Sequence, residues 1–259
     1  MPKLTEKKYW DEKYGDGVTT PLSLEGFRQH TFANIFETMK LADLEGKSIL
    51  EIGAGGSQWL TFLAREFPTS EFAGLDYSEA GCEDLRKRAE SEGVFVDIVC
   101  ADLYCPPENY KNKFDIVITF GVVEHFDSLD DILPALLNYL KPNGKLYTLI
   151  PNMAALMGTL TKKYDQSVYD IHNPHDRASL VDGHKSAGLQ VEYADYIGST
   201  EFGILSSCIN ENSGRLKKFT YLWLTRLTRA ISFFEHKFGN LPATPYFSGL
   251  IYCIASRAK

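Results

Sequence analysis

The sequence predicts an α/β protein: a doubly wound, mostly parallel sheet of seven strands, with a helical insertion before the last strand. Three observations point there. Short β-rich runs alternate with helical patterns through the middle of the chain. A glycine-rich turn, Leu50-Glu51-Ile52-Gly53-Ala54-Gly55-Gly56-Ser57, sits where the first of those strands meets a helix. The nearly continuous apolar run over 114–122 has the character of a strand buried on both faces.

The elements follow in order. Residues 1–44 form an N-terminal helical segment, with the aromatic group Tyr9, Trp10 and Tyr14 ahead of a helix around Phe27, Ile35, Phe36 and Met39. The core, 45–198, opens with a strand at 47–54, a helix at 58–67, a strand at 71–77, a helix at 79–92 and a strand at 95–103. The apolar strand at 114–122 comes next. Ser128 then caps a helix running to about residue 140, with Lys141-Pro142-Asn143-Gly144 as its stop and a fifth strand at 145–150. A helix at 176–187 and strands at 189–197 and 248–255 complete the sheet, so that 246–259 returns the chain to the core. The segment 199–245 exceeds a plain connection. Within it Leu216, Phe219, Leu222, Trp223, Leu227, Ala230, Ile231, Phe234 and Phe238 recur at helical spacing, opposite Lys217, Lys218, Thr225, Arg229, Ser232 and His236.

Composition narrows the function. The chain has 259 residues with 27 Lys and Arg against 34 Asp and Glu, a formal charge of −7, which disfavours a surface built to neutralise nucleic-acid phosphates. Five cysteines without a CxxC pair suggest neither a disulfide framework nor a zinc knuckle. With no apolar stretch after the N-terminus and no run long enough to span a bilayer, a cytoplasmic location is expected.

The chemistry is concentrated at strand ends. Glycines between a strand and a helix let the backbone turn tightly and approach a ligand, while the helix start offers unpaired N–H donors. Asp76 ends the second strand, where a carboxylate can accept from both hydroxyls of a ribose; Asp102 ends the third, where it could accept from an adenine amine. A nicotinamide or flavin fingerprint would require glycine where Gln58 stands, and would leave Asp102 without a role.

Over residues 45–155 this pattern resembles the class I S-adenosylmethionine-dependent methyltransferases. The segments Phe114-Asp115-Ile116-Val117-Ile118, Phe120-Gly121-Val122-Val123-Glu124-His125-Phe126 and Leu140-Lys141-Pro142-Asn143-Gly144 are similar to the fourth strand and the following turn of that family. The Glu124-His125 pair and the later His172 are most like its small-molecule branch, which includes quinone-biosynthesis enzymes. The resemblance implies S-adenosyl-L-methionine as cofactor, held by Glu51, Gly53, Ala54, Gly55, Asp76, Tyr77, Asp102, Leu103 and Phe120. It implies methyl transfer by in-line displacement to an O, N or S atom of a small molecule. One departure is that Ser57 stands at the third alternate glycine of the family loop, with the extra glycine at Gly56; a serine there is compatible with a helix cap.

Three histidines are candidates for a general base. His125 follows Glu124 at the mouth of the fourth strand. His172 and His175 lie in Tyr169-Asp170-Ile171-His172-Asn173-Pro174-His175-Asp176, where Asp170 or Asp176 could orient either one; a metal site or a plain turn with a helix cap are the other readings. His172 is the preferred base, and no metal is assigned. Tyr9, Tyr14, Glu124, His125 and His172 are the expected acceptor contacts. The helix at 215–238 carries six basic residues against one acid, a net +5 that leaves −12 for the rest of the chain. A lid is its expected role, ahead of core packing, a homodimer contact or peripheral membrane contact. The alternative to an enzyme is a regulatory protein that binds the cofactor without turnover.

Overall fold

In the computed structural model, which describes residues 4–14 and 20–257, the chain builds one seven-stranded sheet. Helix α1 (Lys7–Lys13) and helix α2 (His30–Thr38) precede strand β1 (Ser48–Ile52), helix α3 (Gln58–Glu66), strand β2 (Glu71–Asp76), helix α4 (Glu79–Glu92) and strand β3 (Asp97–Cys100). The chain then crosses back to strand β4 (Phe114–Phe120), helix α5 (Leu129–Leu137) and strand β5 (Leu140–Pro151). Helices α6 (Leu156–Tyr164), α7 (Gln166–Asp170) and α8 (Arg177–Ser186) lead to strand β6 (Leu189–Ile197), helix α9 (Arg215–Phe238) and strand β7 (Leu250–Arg257).

The sheet order is β3-β2-β1-β4-β5-β7-β6, parallel from β3 to β5, with β7 antiparallel to both its neighbours. Because the chain leaves β1 toward β2 and later returns to β4 on the other side of β1, the crossovers diverge there. A crevice therefore opens at the carboxyl ends of β1 and β4. Strand β1 is buried throughout, and its residues alternate between two cores. Leu50 and Ile52 pack with Ile132, Leu133 and Leu136 of α5, and Ile49 packs with Leu60 and Leu63 of α3 and Ile35 of α2. This is what a parallel sheet covered on both faces requires.

The sequence pattern and the structure diverge at three places. Strand β5 starts at Leu140, so Lys141 to Gly144 lies within it, with Asn143 in the left-handed region at φ 64°. The segment between β5 and α8, for which the pattern gives no element, folds as α6 and α7; Asp165 starts the second by accepting from the amide of Ser167 at 3.1 Å. Helix α9 matches the expected 215–238 but is turned over: its buried residues are Thr228, Ser232 and Glu235, while its Leu, Phe and Trp side chains other than Leu224 are exposed. Specific polar contacts fix that orientation. The Thr228 hydroxyl accepts from the amide of Phe202 at 3.1 Å, and the Glu235 carboxylate lies 3.5 Å from His30 Nε2.

Candidate functional site

The crevice holds a cavity of about 350 Å³, within the range of small-molecule and cofactor pockets. One wall is the loop after β1. Gly53 has φ 77°, and a Cβ on it would fall 2.4 Å from Val122 Cγ2, so both its conformation and its packing against the β4 loop require glycine. Ser57 caps α3 by accepting from the amide of Leu60, as its sequence position suggested, and its hydroxyl donates to Glu51 at 2.8 Å. The adjacent Gly56, φ 60°, makes the left-handed turn. The glycine displaced from the alternating pattern therefore serves the turn while the serine serves the helix. Glu51 is fully buried and holds that one hydrogen bond, and burial pushes its carboxyl up to about 8.

Asp76 lies opposite, at the end of β2. Its Oδ1 accepts from the amide of Ser78 and its Oδ2 from the amide of Gly55, both at 2.8 Å. Each oxygen retains acceptor capacity for a hydroxyl in the cavity. Tyr77, Ala101, Leu103 and Phe120 line the same space. Asp102 is not among the lining residues: its side chain turns back to accept from the amide of Tyr104 at 3.0 Å, and its neighbours Ala101 and Leu103 face the cavity instead. Ala54 is buried behind the loop, its amide donating to the carbonyl of Leu75.

The N-terminal segment forms the roof. The amide of Leu4 donates to the carbonyl of His125 at 3.0 Å, Lys7 pairs with Glu79, and Trp10 meets the His125 ring edge-on at 5.1 Å. Tyr14 wedges between Gly55, Gly56 and Gly81, and burial beside Asp76 raises its phenol far above the usual range. Tyr9 stacks edge-on against Trp10 and is not a lining residue; Trp10 is. Both belong to the same aromatic group, and the sequence offered nothing to choose between them.

At the far end, a turn over Val123–His125 places Glu124 and His125 under the roof. The amide of Asn173 donates to the carbonyl of Glu124 at 2.6 Å, docking the segment after α7 so that the ring of His172 lies 4.6 Å from that of His125. The two imidazoles approach carbonyls alike: His125 Nδ1 is 2.7 Å from the Ile171 oxygen and His172 Nδ1 is 2.6 Å from the Val168 oxygen. Each therefore carries its proton on Nδ1 and keeps Nε2 as an acceptor or ligand atom. Glu124 is buried, its Oε2 has no partner, and burial pushes its carboxyl up to about 8. Burial lowers His125 to about 4, with His172 beside it adding to the effect, and lowers His172 in the same direction. One ligand atom from each of Glu124, His125 and His172 lies within 4.8 Å of the others, so the trio can accept a proton or hold a small cation. His175, the other candidate base, is separate: it is buried near Ser179 at the start of α8, and it does not line the cavity. Asp176 caps α8 rather than orienting a histidine.

A family model described as a methyltransferase domain matches residues 50–146, the stretch holding the loop, Asp76 and β4. The core belongs to the class I S-adenosylmethionine-dependent methyltransferases. The methyltransferase core is similar to a fatty-acid O-methyltransferase of Mycolicibacterium smegmatis, 34% identical over 43% of this chain and 40% of that one. It is also similar to the protein-lysine N-methyltransferase EFM4 of Saccharomyces cerevisiae, 28% identical over 56% and 65%, and to a ubiquinone biosynthesis O-methyltransferase of Neisseria meningitidis, 28% identical over 54% and 56%. The chain thus spans less than two thirds of the length of each of these relatives. Among solved structures, phosphoethanolamine N-methyltransferase 2 of Haemonchus contortus, in complex with phosphomonomethylethanolamine and S-adenosylhomocysteine, superposes with a TM-score of 0.61 at 17% identity, over 98% of this chain and 56% of that one, which shows the shared fold.

The family cofactor is S-adenosylmethionine, and the residues present fit it. A cradle closed to any side chain at Gly53 and Gly55, a buried carboxyl at Glu51 and an acceptor pair at Asp76 offer what an amino-acid moiety and a ribose require. His125 lines the same crevice as the glycine loop and Asp76, and Glu124 and His172 lie behind it.

Proposed function

We propose that this chain transfers the methyl group of S-adenosylmethionine to an O, N or S atom of a small molecule. When bound, the cofactor supplies an electrophilic methyl group on a sulfonium, and the chain's residues hold the two reactants in line and keep water out. Glu51 would receive the ammonium of the methionine part, Gly53 and Gly55 would admit its backbone, and Asp76 would accept from the ribose hydroxyls. Trp10 and Tyr14 close the roof. An apolar or aromatic acceptor suits the remaining space, because Phe32, Trp59, Phe120 and Phe126 line it together with His125.

The observation that carries this reading is the position of His125: of His125, His172 and His175, it alone lines the cavity that the glycine loop also lines. His125 takes the proton of the acceptor on Nε2, and His172 is a positioning residue behind it. That reverses the preference expected from sequence for His172. The test is release of S-adenosylhomocysteine from the full chain on addition of candidate acceptors, beginning with fatty acids and catechols. His125→Gln lowers turnover by about a hundredfold with unchanged cofactor affinity by calorimetry, whereas His175→Gln leaves turnover near that of the wild type. Equal turnover in His125→Gln removes the base assignment, and absence of calorimetric binding of S-adenosylhomocysteine removes the whole reading.

A second reading of the trio is favoured by the unpartnered Oε2 of Glu124. A divalent cation bound there by Glu124, His125 and His172 would lower the pKa of an acceptor hydroxyl in place of a base. Turnover abolished by a chelator and restored by Mg²⁺ or Zn²⁺, with metal bound near one equivalent, selects this form.

A further inference from the structure

Thirteen large apolar side chains are exposed among the described residues, and eleven of them lie between Leu216 and Phe247. Of the other two, Tyr193 has Lys40 over its ring at 3.8 Å, which leaves Phe95 as an isolated case. The concentration is a property of α9 and the segment after it, and scattered surface apolar residues would not produce it.

The geometry of α9 sorts its residues into three arcs. At the rotation per residue of an α-helix, Tyr221, Leu224, Thr228, Ile231, Ser232 and Glu235 face the body, where Tyr221 and Leu224 pack on Phe202 and Leu205. Leu216, Phe219, Trp223, Leu227, Phe234 and Phe238 fall in a second arc about 100° wide. Arg215, Lys218, Arg226, Arg229 and Lys237 fall in the arc beside it, all exposed, with the exposed Leu222 and Phe233 set among them. The sole acid of the helix, Glu235, is buried against His30 and the amide of Leu241. The outward surface is thus an apolar stripe with cations along one flank and no anion. No residue of α9 lines the catalytic cavity, so this exposed face is not the inner side of a lid.

We propose that α9 docks the protein on an anionic phospholipid surface, lying parallel to the bilayer with the stripe in the interfacial region and the five cations on the headgroups. Charge complementarity selects this occupant. The helix is net positive on a chain of net charge −7, so an anionic surface attracts α9 and repels the rest of the molecule, which orients it. A second copy packed stripe to stripe would bring two cationic flanks to one seam with no exposed acid on either helix to meet them. No helix among the described residues is long and apolar enough to cross a membrane, so the contact is one of lying on the surface. The proposal rests on α9 and is independent of the methyl-transfer reading.

The test is flotation of the full chain with vesicles of phosphatidylcholine alone or mixed with phosphatidylglycerol. The protein floats with the mixed vesicles and much less with phosphatidylcholine, salt weakens the binding, and Trp223 emission shifts to the blue. Two variants, Arg226→Glu with Arg229→Glu, and Phe219→Ser with Trp223→Ser, each lower the partition at least about tenfold. Far-UV circular dichroism and a thermal midpoint close to the wild type establish that both variants fold; if the Phe219 and Trp223 pair does not fold, the Arg226 and Arg229 pair decides alone. Wild-type flotation by the charge-reversed variant overturns the proposal. So does absence of binding to mixed vesicles together with a dimer by light scattering that Phe219→Ser dissociates, a result that assigns the stripe to a second copy.

Discussion

The backbone amide of Gly55 donates to Oδ2 of Asp76 at 2.8 Å, tying the turn after β1 to the carboxylate at the end of β2. It acts beside the amides of Gly53 and Ala54, which both donate to the carbonyl of Leu75. It also leaves no room for a side chain, because a Cβ at position 55 would stand 2.9 Å from the same oxygen and 2.5 Å from the Tyr14 ring. Gly55→Ala is therefore expected to weaken S-adenosylhomocysteine binding by more than about a hundredfold, since Tyr14 can swing aside but Asp76, held by two amides, cannot. Calorimetry measures the affinity, and a thermal midpoint within a few degrees of the wild type separates this from misfolding.

Glu51 gives the binding step a proton signature. Its carboxyl, pushed up to about 8 by burial, is mostly protonated in the free protein at neutral pH. A cationic ammonium placed beside it would favour the carboxylate, so cofactor binding in the proposed pose is expected to lower this pKa and expel a proton at about pH 7. The effect fades above the free pKa, where the group is already ionised. Titrations in buffers of different ionisation enthalpy should show release of close to one proton for the wild type and none for Glu51→Gln. Equal proton release by both would remove Glu51 from this role.

Tyr14 tests the roof. Its ring fills the space over Gly55 and Gly81, and its removal opens the cavity to water above Asp76. Tyr14→Ala should lower cofactor affinity about tenfold, and Tyr14→Phe should stay near the wild type, because burial rather than a hydrogen bond dominates its environment. A Tyr14→Phe loss as large as that of Tyr14→Ala would instead assign the hydroxyl a contact.

His184 makes stability pH-dependent away from the site. Burial pushes it down to about 4, while its Nδ1 is 2.7 Å from the Leu180 oxygen and its Nε2 is 3.0 Å from the Thr148 hydroxyl. The unfolded chain takes up a proton here below about pH 6.5, whereas the folded chain does not until about pH 4. Its stabilising contribution is thus complete above about pH 6.5 and is lost as pH falls toward 4, a difference of about 3 kcal/mol. Urea unfolding of His184→Gln should show a flatter dependence between those limits than the wild type, even if its stability at neutral pH is lower. Parallel curves would assign the acid sensitivity elsewhere.

How far the sequence reaches differs from one residue to another. Helix α4 and strand β6 have the bounds that periodicity and caps gave them, Ser57 caps α3, and Asp76 stands at the crevice, because each depends on residues adjacent in the chain. The alternation of strands and helices determined the doubly wound sheet, and the loop over 50–57 marked the place where it opens. The tertiary structure alone decided the rest. It brought His172 against His125 through the Asn173 to Glu124 bond, passed over Tyr9 for Trp10, turned Asp102 back to its own strand end, and inserted β7 antiparallel between β5 and β6. Above all it turned α9 over. Helical spacing defines two faces equally well whichever is buried, and Thr228 bonding to Phe202, Glu235 meeting His30, and Tyr221 and Leu224 packing on Phe202 and Leu205 set one face inward and leave most of the large apolar side chains toward solvent. Local periodicity fixes which residues share a face; which face is buried is settled by partners distant in the chain.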